Sequence, residues 1–430
     1  MSSHDLVFLA TTNALSHISS VLGCIASVGT TAKVTINAHG VHFTAYNDNQ
    51  TIRVALTLAK SLFTSFTLNG DHNSRESNTQ GSLTQDSDQL VESEISLSLD
   101  VQLFVESVNI HTSHQTSFGG NNTSTNTDKN EIECTFSYQG DGHPFAVIFE
   151  DTAILERVEF QTYGDQEDFE ERFSLDETEL VLNTLLNGSL LYDVMKDLKD
   201  VNTDALIVYV KDNPIPSNRK LVFISQSEIG HSKLQYPSQK IYLQDLSVWR
   251  PQKMNDNLLE FNQTISDSLT CYYRFETWAK IFRSFKISNR IKLQKSISGL
   301  TSTSLLVRNP HDQSYTGSVI DFRFWENVND EEIDNQNWEY CYNNTYVERL
   351  VEDDQNIKII QYALSNNLDP NQVTLDDYLK RRETRPHTRP EVIETPFIVL
   401  DDNFNSHKET ELNSTRKTPA SSTIDIPLFL

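Results

Sequence analysis

Lys196 and Lys199, followed by Lys280, Arg283 and Lys286, are the side chains whose type and spacing could do chemistry in this sequence. Cations three residues apart on a helix share one side and suit phosphate oxygens, which they contact without reading bases. At about 100 degrees per residue, Leu190, Leu191, Val194, Leu198 and Val201 form an apolar helix face, with Lys196 and Lys199 opposite. Trp278, Ile281, Phe282 and Phe285 form a second such face; Lys280 and Arg283 lie opposite it and Lys286 at its flank. Any solvated helix carries lysine there by default, and Asp193, Asp197 and Asp200 intervene. Spacing alone therefore leaves phosphate contact and plain solvation both open.

Catalytic constellations are thinner. Metal-dependent nucleases need carboxylates converging on one or two ions, and Glu131, Glu133, Glu150 and Asp151 are the nearest approach to such a set. They read as solvent-facing strand positions and a strand end. The twelve histidines form no HExxH or similar metal spacing, and neither a P-loop nor a G-x-S-x-G elbow occurs. No cofactor or resident metal is expected.

The elements that must position the cations come in a repeated order. Leu15, Ile18, Val21, Leu22 and Ile25 give a first amphipathic helix, with Thr12 or Asn13 as cap. Short strands follow over 33–37, 41–46 and 51–59. Val101, Phe104, Val105 and Val108 supply a second helix, and Ile132, Cys134, Phe136 and Tyr138 alternate with polar residues as a half-buried strand, followed by a turn at Gly140-Asp141-Gly142 and a second strand through Phe149. Helix, strands, helix, strands then recur, through strands over 205–210, 221–225, 232–234, 268–275, 304–307 and 319–325. The expected fold is α+β, with two tandem similar domains over residues 1–160 and 176–345. An acidic connector over 161–175 joins them. Polar inserts near 70–94 and 112–130 read as disordered, as does most of a tail over 346–430, in which one helix is expected over 354–365.

Charge is uneven along the chain. Residues 1–182 hold 7 Lys and Arg against 26 Asp and Glu, residues 183–311 hold 17 against 11, and residues 312–430 hold 11 against 23. The net charge of -25 argues against bulk attraction to nucleic acid, and only the middle segment is basic, so any contact with DNA should concentrate there. No apolar run reaches the roughly 18 residues of a membrane span. Cys24, Cys134, Cys271 and Cys341 form no CxxC pair and read as reduced core residues of an intracellular protein.

The stretch from Glu133 to Phe160, with the patches Leu190–Lys199, Ser225–Gly230 and Ile424–Leu430, resembles one subunit of the heterotrimeric DNA-damage checkpoint clamp, a diverged branch of the PCNA-like replication clamps. In element order the resemblance covers residues 5–345. It implies two domains whose helices line a central hole, and a ring completed by two other clamp subunits. It further implies an ATP-dependent loader that places the ring on double-stranded DNA at primer-template junctions, and recruitment of the checkpoint kinase pathway in the nucleus. On this resemblance Lys196, Lys199, Lys280, Arg283 and Lys286 would face the DNA. The first two helices depart from the pattern, offering His17 and Glu106 but no Lys or Arg.

Two further readings stand beside this one: a 3'-5' exonuclease, an activity sometimes assigned to this family, and an adaptor that never touches DNA. In the tail, Lys380, Arg381 and Arg382 could be a nuclear import signal or an ordinary charged linker. Ile424, Ile426, Pro427, Leu428 and Phe429 make an apolar terminus suited to docking on a partner or to folding back on its own domain. Thr79-Gln80, Thr84-Gln85 and Thr418-Pro419 are possible phosphorylation sites of a kind that also occurs by chance.

Overall fold

A computed structural model describes residues 7–69, 94–117, 132–151, 154–164, 170–228, 230–253, 259–264, 267–309, 315–327 and 341–352. The first half contains β1 (Phe8–Thr12), α1 (Leu15–Ala26), β2 (Thr31–Asn37), β3 (Gly40–Tyr46), β4 (Ile52–Ala59), β5 (Ser65–Leu68), β6 (Ile95–Asp100), α2 (Val101–Ser117), β7 (Glu133–Tyr138), β8 (Phe145–Glu150) and β9 (Leu155–Phe160). The second contains β10 (Leu180–Asn187), α3 (Gly188–Asp200), β11 (Ala205–Lys211), β12 (Lys220–Ser227), β13 (Gly230–Gln235), β14 (Leu243–Lys253) and β15 (Leu259–Gln263). It ends with β16 (Ser268–Arg274), α4 (Phe275–Ile281), β17 (Arg290–Ser296), β18 (Leu300–Val307) and β19 (Ser318–Trp325).

The two halves repeat one pairing scheme. The order β5-β1-β7-β8-β9 in the first matches β14-β10-β17-β18-β19 in the second, and β4-β3-β2-β6 matches β13-β12-β11-β16. β19 then pairs antiparallel with β4, from Val319 opposite Thr57 to Phe324 opposite Ile52. That seam fuses two sheets into one of ten strands, so Met1–Asn344 is a single compact unit rather than two separate bodies. Thr345–Leu430 forms a second unit, in which residues 345–352 are helical.

Alternation explains the seam. Ile320, Phe322 and Phe324 point to one face of β19, Ile52, Val54 and Leu56 to the same face of β4, and all six are buried. α1 packs across this face, touching β3, β4 and β19. On the other face Arg323 stands directly opposite Arg53, a like-charged pair that would weaken the sheet by itself. The connector supplies a counter-charge for one of them, with Arg53 Nη2 2.9 Å from Glu170 Oε1, while Arg323 pairs with Asp321 of its own strand at 2.6 Å. Arg323 Nη1 also donates to the Phe173 carbonyl at 2.6 Å, while the buried Phe173 ring sits between Tyr46 and Trp325 at centroid distances of 5.8 and 6.5 Å.

Near the end of β19, Lys295 and Glu326 form an ion pair of 2.7 Å with both side chains buried. Glu326 accepts a second bond from the Tyr272 N–H at 2.7 Å, so its carboxylate keeps two partners out of water. All four cysteines are buried free thiols. Burial raises the Cys24 thiol to about 11 despite a hydrogen bond from Ser284, and raises that of Cys271 to about 12.

Several expectations shift. α2 continues to Ser117, so the insert expected from residue 112 begins inside a helix whose apolar face had already run out. Thr12 does not cap α1; its hydroxyl accepts the Ala14 N–H and donates to the Leu62 carbonyl. Val201 falls just past α3 and is exposed, because α3 ends at Asp200. β1, β5, β6, β9, β10, β14, β15 and β17 had no counterpart among the expected strands. Residues 70–93 and 353–430, including the helix expected over 354–365, lie outside the described residues.

His17 joins the halves by chemistry as well as packing. Its Nε2 lies 2.8 Å from Ser318 Oγ and its ring meets Tyr315 edge-on, at 4% exposure. Burial pushes its imidazole down to about 4, against an unfolded value near 6.5. The unfolded chain therefore takes up the proton first as pH falls, and stability present above about pH 6.5 drains toward pH 4. Denaturant unfolding at pH 7 and pH 5 should differ by about 2 kcal/mol from this group, and His17→Gln should flatten that difference.

Candidate nucleic-acid interface

α3 begins where β10 ends. Asn187 caps it by accepting the Leu190 N–H at 3.1 Å, satisfying one of the orphan donors of the first turn. Leu191, Val194, Met195 and Leu198 are buried, which leaves Lys196 and Lys199 exposed on the far side beside Asp193 and Asp200. Burial, and then the neighbouring Asp193 and Asp200, raise the Asp197 carboxyl above its ordinary range, while Lys196 opposes the shift.

α4 is short and passes directly into a 3-10 helix over Phe282–Ile287. Tightening to three residues per turn puts Arg283 and Lys286 one above the other, both exposed. Trp278, Ile281, Phe282 and Phe285 are buried beneath them. Lys280 is half-exposed, and its ammonium lies 3.7 Å from Glu276 one turn earlier.

An aromatic pair links the two helical segments. Tyr192 and Phe282 stack at 5.6 Å, with the Lys199 ammonium 5.8 Å from the Phe282 ring and the Lys286 ammonium 5.9 Å from that of Tyr192. Four of the five expected cations thus lie exposed on α3 and the adjoining 3-10 turn, and two of them flank one aromatic stack. The stack was not anticipated, although Tyr192 and Phe282 sit in the motifs that gave the helix faces.

The first-half helices differ. The exposed positions of α1 include Ser16 and Ser20, and those of α2 include Leu103, Glu106 and Ile110. His17, the one basic group expected on helix one, is turned into the seam and is no phosphate ligand. Of the candidate metal carboxylates, Glu133 and Glu150 stand opposite each other on β7 and β8, both exposed, and Glu131 lies outside the described residues. Among the described residues no group of three or more His, Cys, Asp or Glu could hold a metal ion, and no helix is long and apolar enough to cross a membrane. The tail residues Lys380, Arg381, Arg382, Ile424, Ile426, Pro427, Leu428 and Phe429 lie outside the described residues.

Two halves with one pairing scheme, helices packed on their sheets and a continuous seam between them define the PCNA-like clamp fold. A proliferating cell nuclear antigen from Entamoeba histolytica has a similar structure, with a TM-score of 0.50 at 10% identity, covering 75% of this chain and all of that one. The chain belongs to the Rad1 family, described as repair protein Rad1/Rec1/Rad17, which it matches over residues 7–307. It is 27% identical over 303 residues to the DNA damage checkpoint control protein RAD17 of Saccharomyces cerevisiae, a match spanning 70% of this chain and 65% of that protein. The corresponding protein of Eremothecium gossypii is 27% identical over 306 residues, 70% of this chain and 67% of that one.

Gly188 sets how closely α3 approaches the 3-10 turn. A Cβ there would stand 2.0 Å from the Ser288 carbonyl oxygen and 2.8 Å from that of Phe285, both backbone atoms that cannot swing aside. Gly188→Ala should cost about 1–3 kcal/mol, read as a lower denaturant midpoint with the secondary structure retained.

Proposed function

We propose that this chain is one subunit of a heterotrimeric ring that encircles double-stranded DNA and acts in nuclear DNA-damage checkpoint signalling, carrying no catalysis of its own. The observation that carries the reading is the repeat. β19 and β4 join the halves inside the chain, and their counterparts in the repeat, β9 and β13, each end a sheet with a neighbour on one side only among the described residues. The joint used once internally is thus available at both ends of the chain, and head-to-tail use of it closes a ring. Family membership supports the pathway in this reading, in which the partners are two further clamp subunits, an ATP-dependent loader, primer-template junctions and the checkpoint kinase.

Lys196, Lys199, Arg283 and Lys286, with Lys280 beside them, are the phosphate-facing groups in this reading. They sit in the one basic segment of an acidic chain. The first half contributes no cation from α1 or α2, so the grip on DNA is one-sided, and topological closure rather than affinity keeps the ring in place. The adaptor reading draws on the same acidity, and retention separates the two.

The ring assembled with its two partner subunits should stay on closed circular duplex and run off when the circle is cut; absence of retention on either would favour the adaptor. Reversing Lys196, Lys199, Arg283 and Lys286 to Glu should lower affinity for linear duplex at low salt by roughly 10- to 100-fold and flatten its salt dependence by about 0.9 for each phosphate no longer neutralised. Unchanged affinity and slope would remove these residues from the interface.

A further inference from the structure

We infer that the chain's own two open edges reject each other, and that Glu156 on β9 with Ser232 and Lys233 on β13 are the residues that force each edge onto a different chain. This rests on the ring reading and deepens it. The internal seam serves as the template. Matching β13 to β4 through their hairpin partners places Gly230, His231, Ser232, Lys233 and Leu234 at the positions of Ile52, Arg53, Val54, Ala55 and Leu56. Matching β9 to β19 through the three strands beside each places Glu156, Arg157, Val158, Glu159 and Phe160 at the positions of Ile320, Asp321, Phe322, Arg323 and Phe324.

Self-pairing in that register can then be read position by position. The internal seam has three buried apolar pairs on its helix-facing side: Ile320 with Leu56, Phe322 with Val54, and Phe324 with Ile52. The same three positions between β9 and β13 would hold Glu156 with Leu234, Val158 with Ser232, and Phe160 with Gly230. No apolar pair survives, and a carboxylate is driven against a leucine that is already buried. On the outer side Arg157 would stand opposite Lys233, like charges across the strands. The seam tolerates Arg53 opposite Arg323 because the connector's Glu170 reaches over; Arg157 already holds Glu159 at 2.8 Å.

Net charge alone would have pointed the other way, since β9 is acidic and β13 carries Lys233 and His231. Register overrides it, because a strand pair is scored residue by residue. The β9 edge instead suits a strand of another clamp-type chain that is apolar opposite Val158 and Phe160 and carries a cation opposite Glu156. Beside it, Leu103, Ile110 and Tyr163, each more than half exposed, make an apolar groove with Glu106 and Glu159 that the same partner would cover.

The full chain alone should sediment as a monomer. Glu156→Ile, Ser232→Val and Lys233→Ala together restore two of the seam's three apolar pairs, remove the like charge, and should lower the concentration for half-association by about tenfold or more. Lys233→Glu, an outer-face change that leaves the core untouched, should lower it less, by about threefold. Self-association of the unaltered chain through β9 and β13, or a folded triple variant and a folded Lys233→Glu variant that both stay as monomeric as the parent, would overturn the inference. Mixing the unaltered chain with two other clamp-type subunits is the separate arm: failure to form a ring there strikes the proposed function and leaves the self-rejection result standing.

Discussion

The pairing of β19 with β4 is the constraint on which the rest depends. It turns two repeated halves into one continuous sheet, and it places α1 over residues drawn from both. The register also sets two arginines face to face, which obliges the connector to bring Glu170 and the buried Phe173 to that face of the sheet. The acidic character of the connector thus has a local use. Its Glu170 balances one arginine of the seam, and the Phe173 carbonyl and ring anchor the other side.

The same seam takes up the one basic side chain of α1. His17 gives up any role at the surface to bond Ser318 across the junction, and Cys24 is buried nearby against Ser284. α3 has no such obligation on its outer side. Tyr192, Lys196 and Lys199 occupy that side, and the aromatic stack with Phe282 holds two lysines beside it without desolvating them. Helix faces are free in both halves, at Ser16 and Ser20 of α1 and at Leu103, Glu106 and Ile110 of α2, but only those of the second half carry Lys and Arg.

What the sequence made legible follows from what is local. Helix faces are local: the 3.6-residue period at Leu191, Val194 and Leu198, and at Trp278, Ile281 and Phe285, marked the buried sides correctly and left the cations outside. Hairpin strands such as β2 to β4 and β11 to β13 are nearly as local, because their turns punctuate them. β1 and β10 carry comparable alternation but pair only with strands far away in the chain, and β14 runs through Pro251, a residue that argues against a strand. Position within a sheet is not local at all. That β9 and β13 stand at edges, the property on which assembly turns, becomes visible only when every other pairing is known.

Likeness in fold to a proliferating cell nuclear antigen at 10% identity fits this division of labour. The fold asks for apolar residues at alternating strand positions and along one stripe of each helix, a demand that many sequences meet. Identity matters where a side chain has a single opposite number. Ile320 against Leu56 holds the seam, whereas Glu156, at the matching place on the open edge, turns away the chain's own Leu234. Pattern alone therefore yields the two-half scaffold, and in the proposed ring a few departures from pattern at the edges determine what completes it.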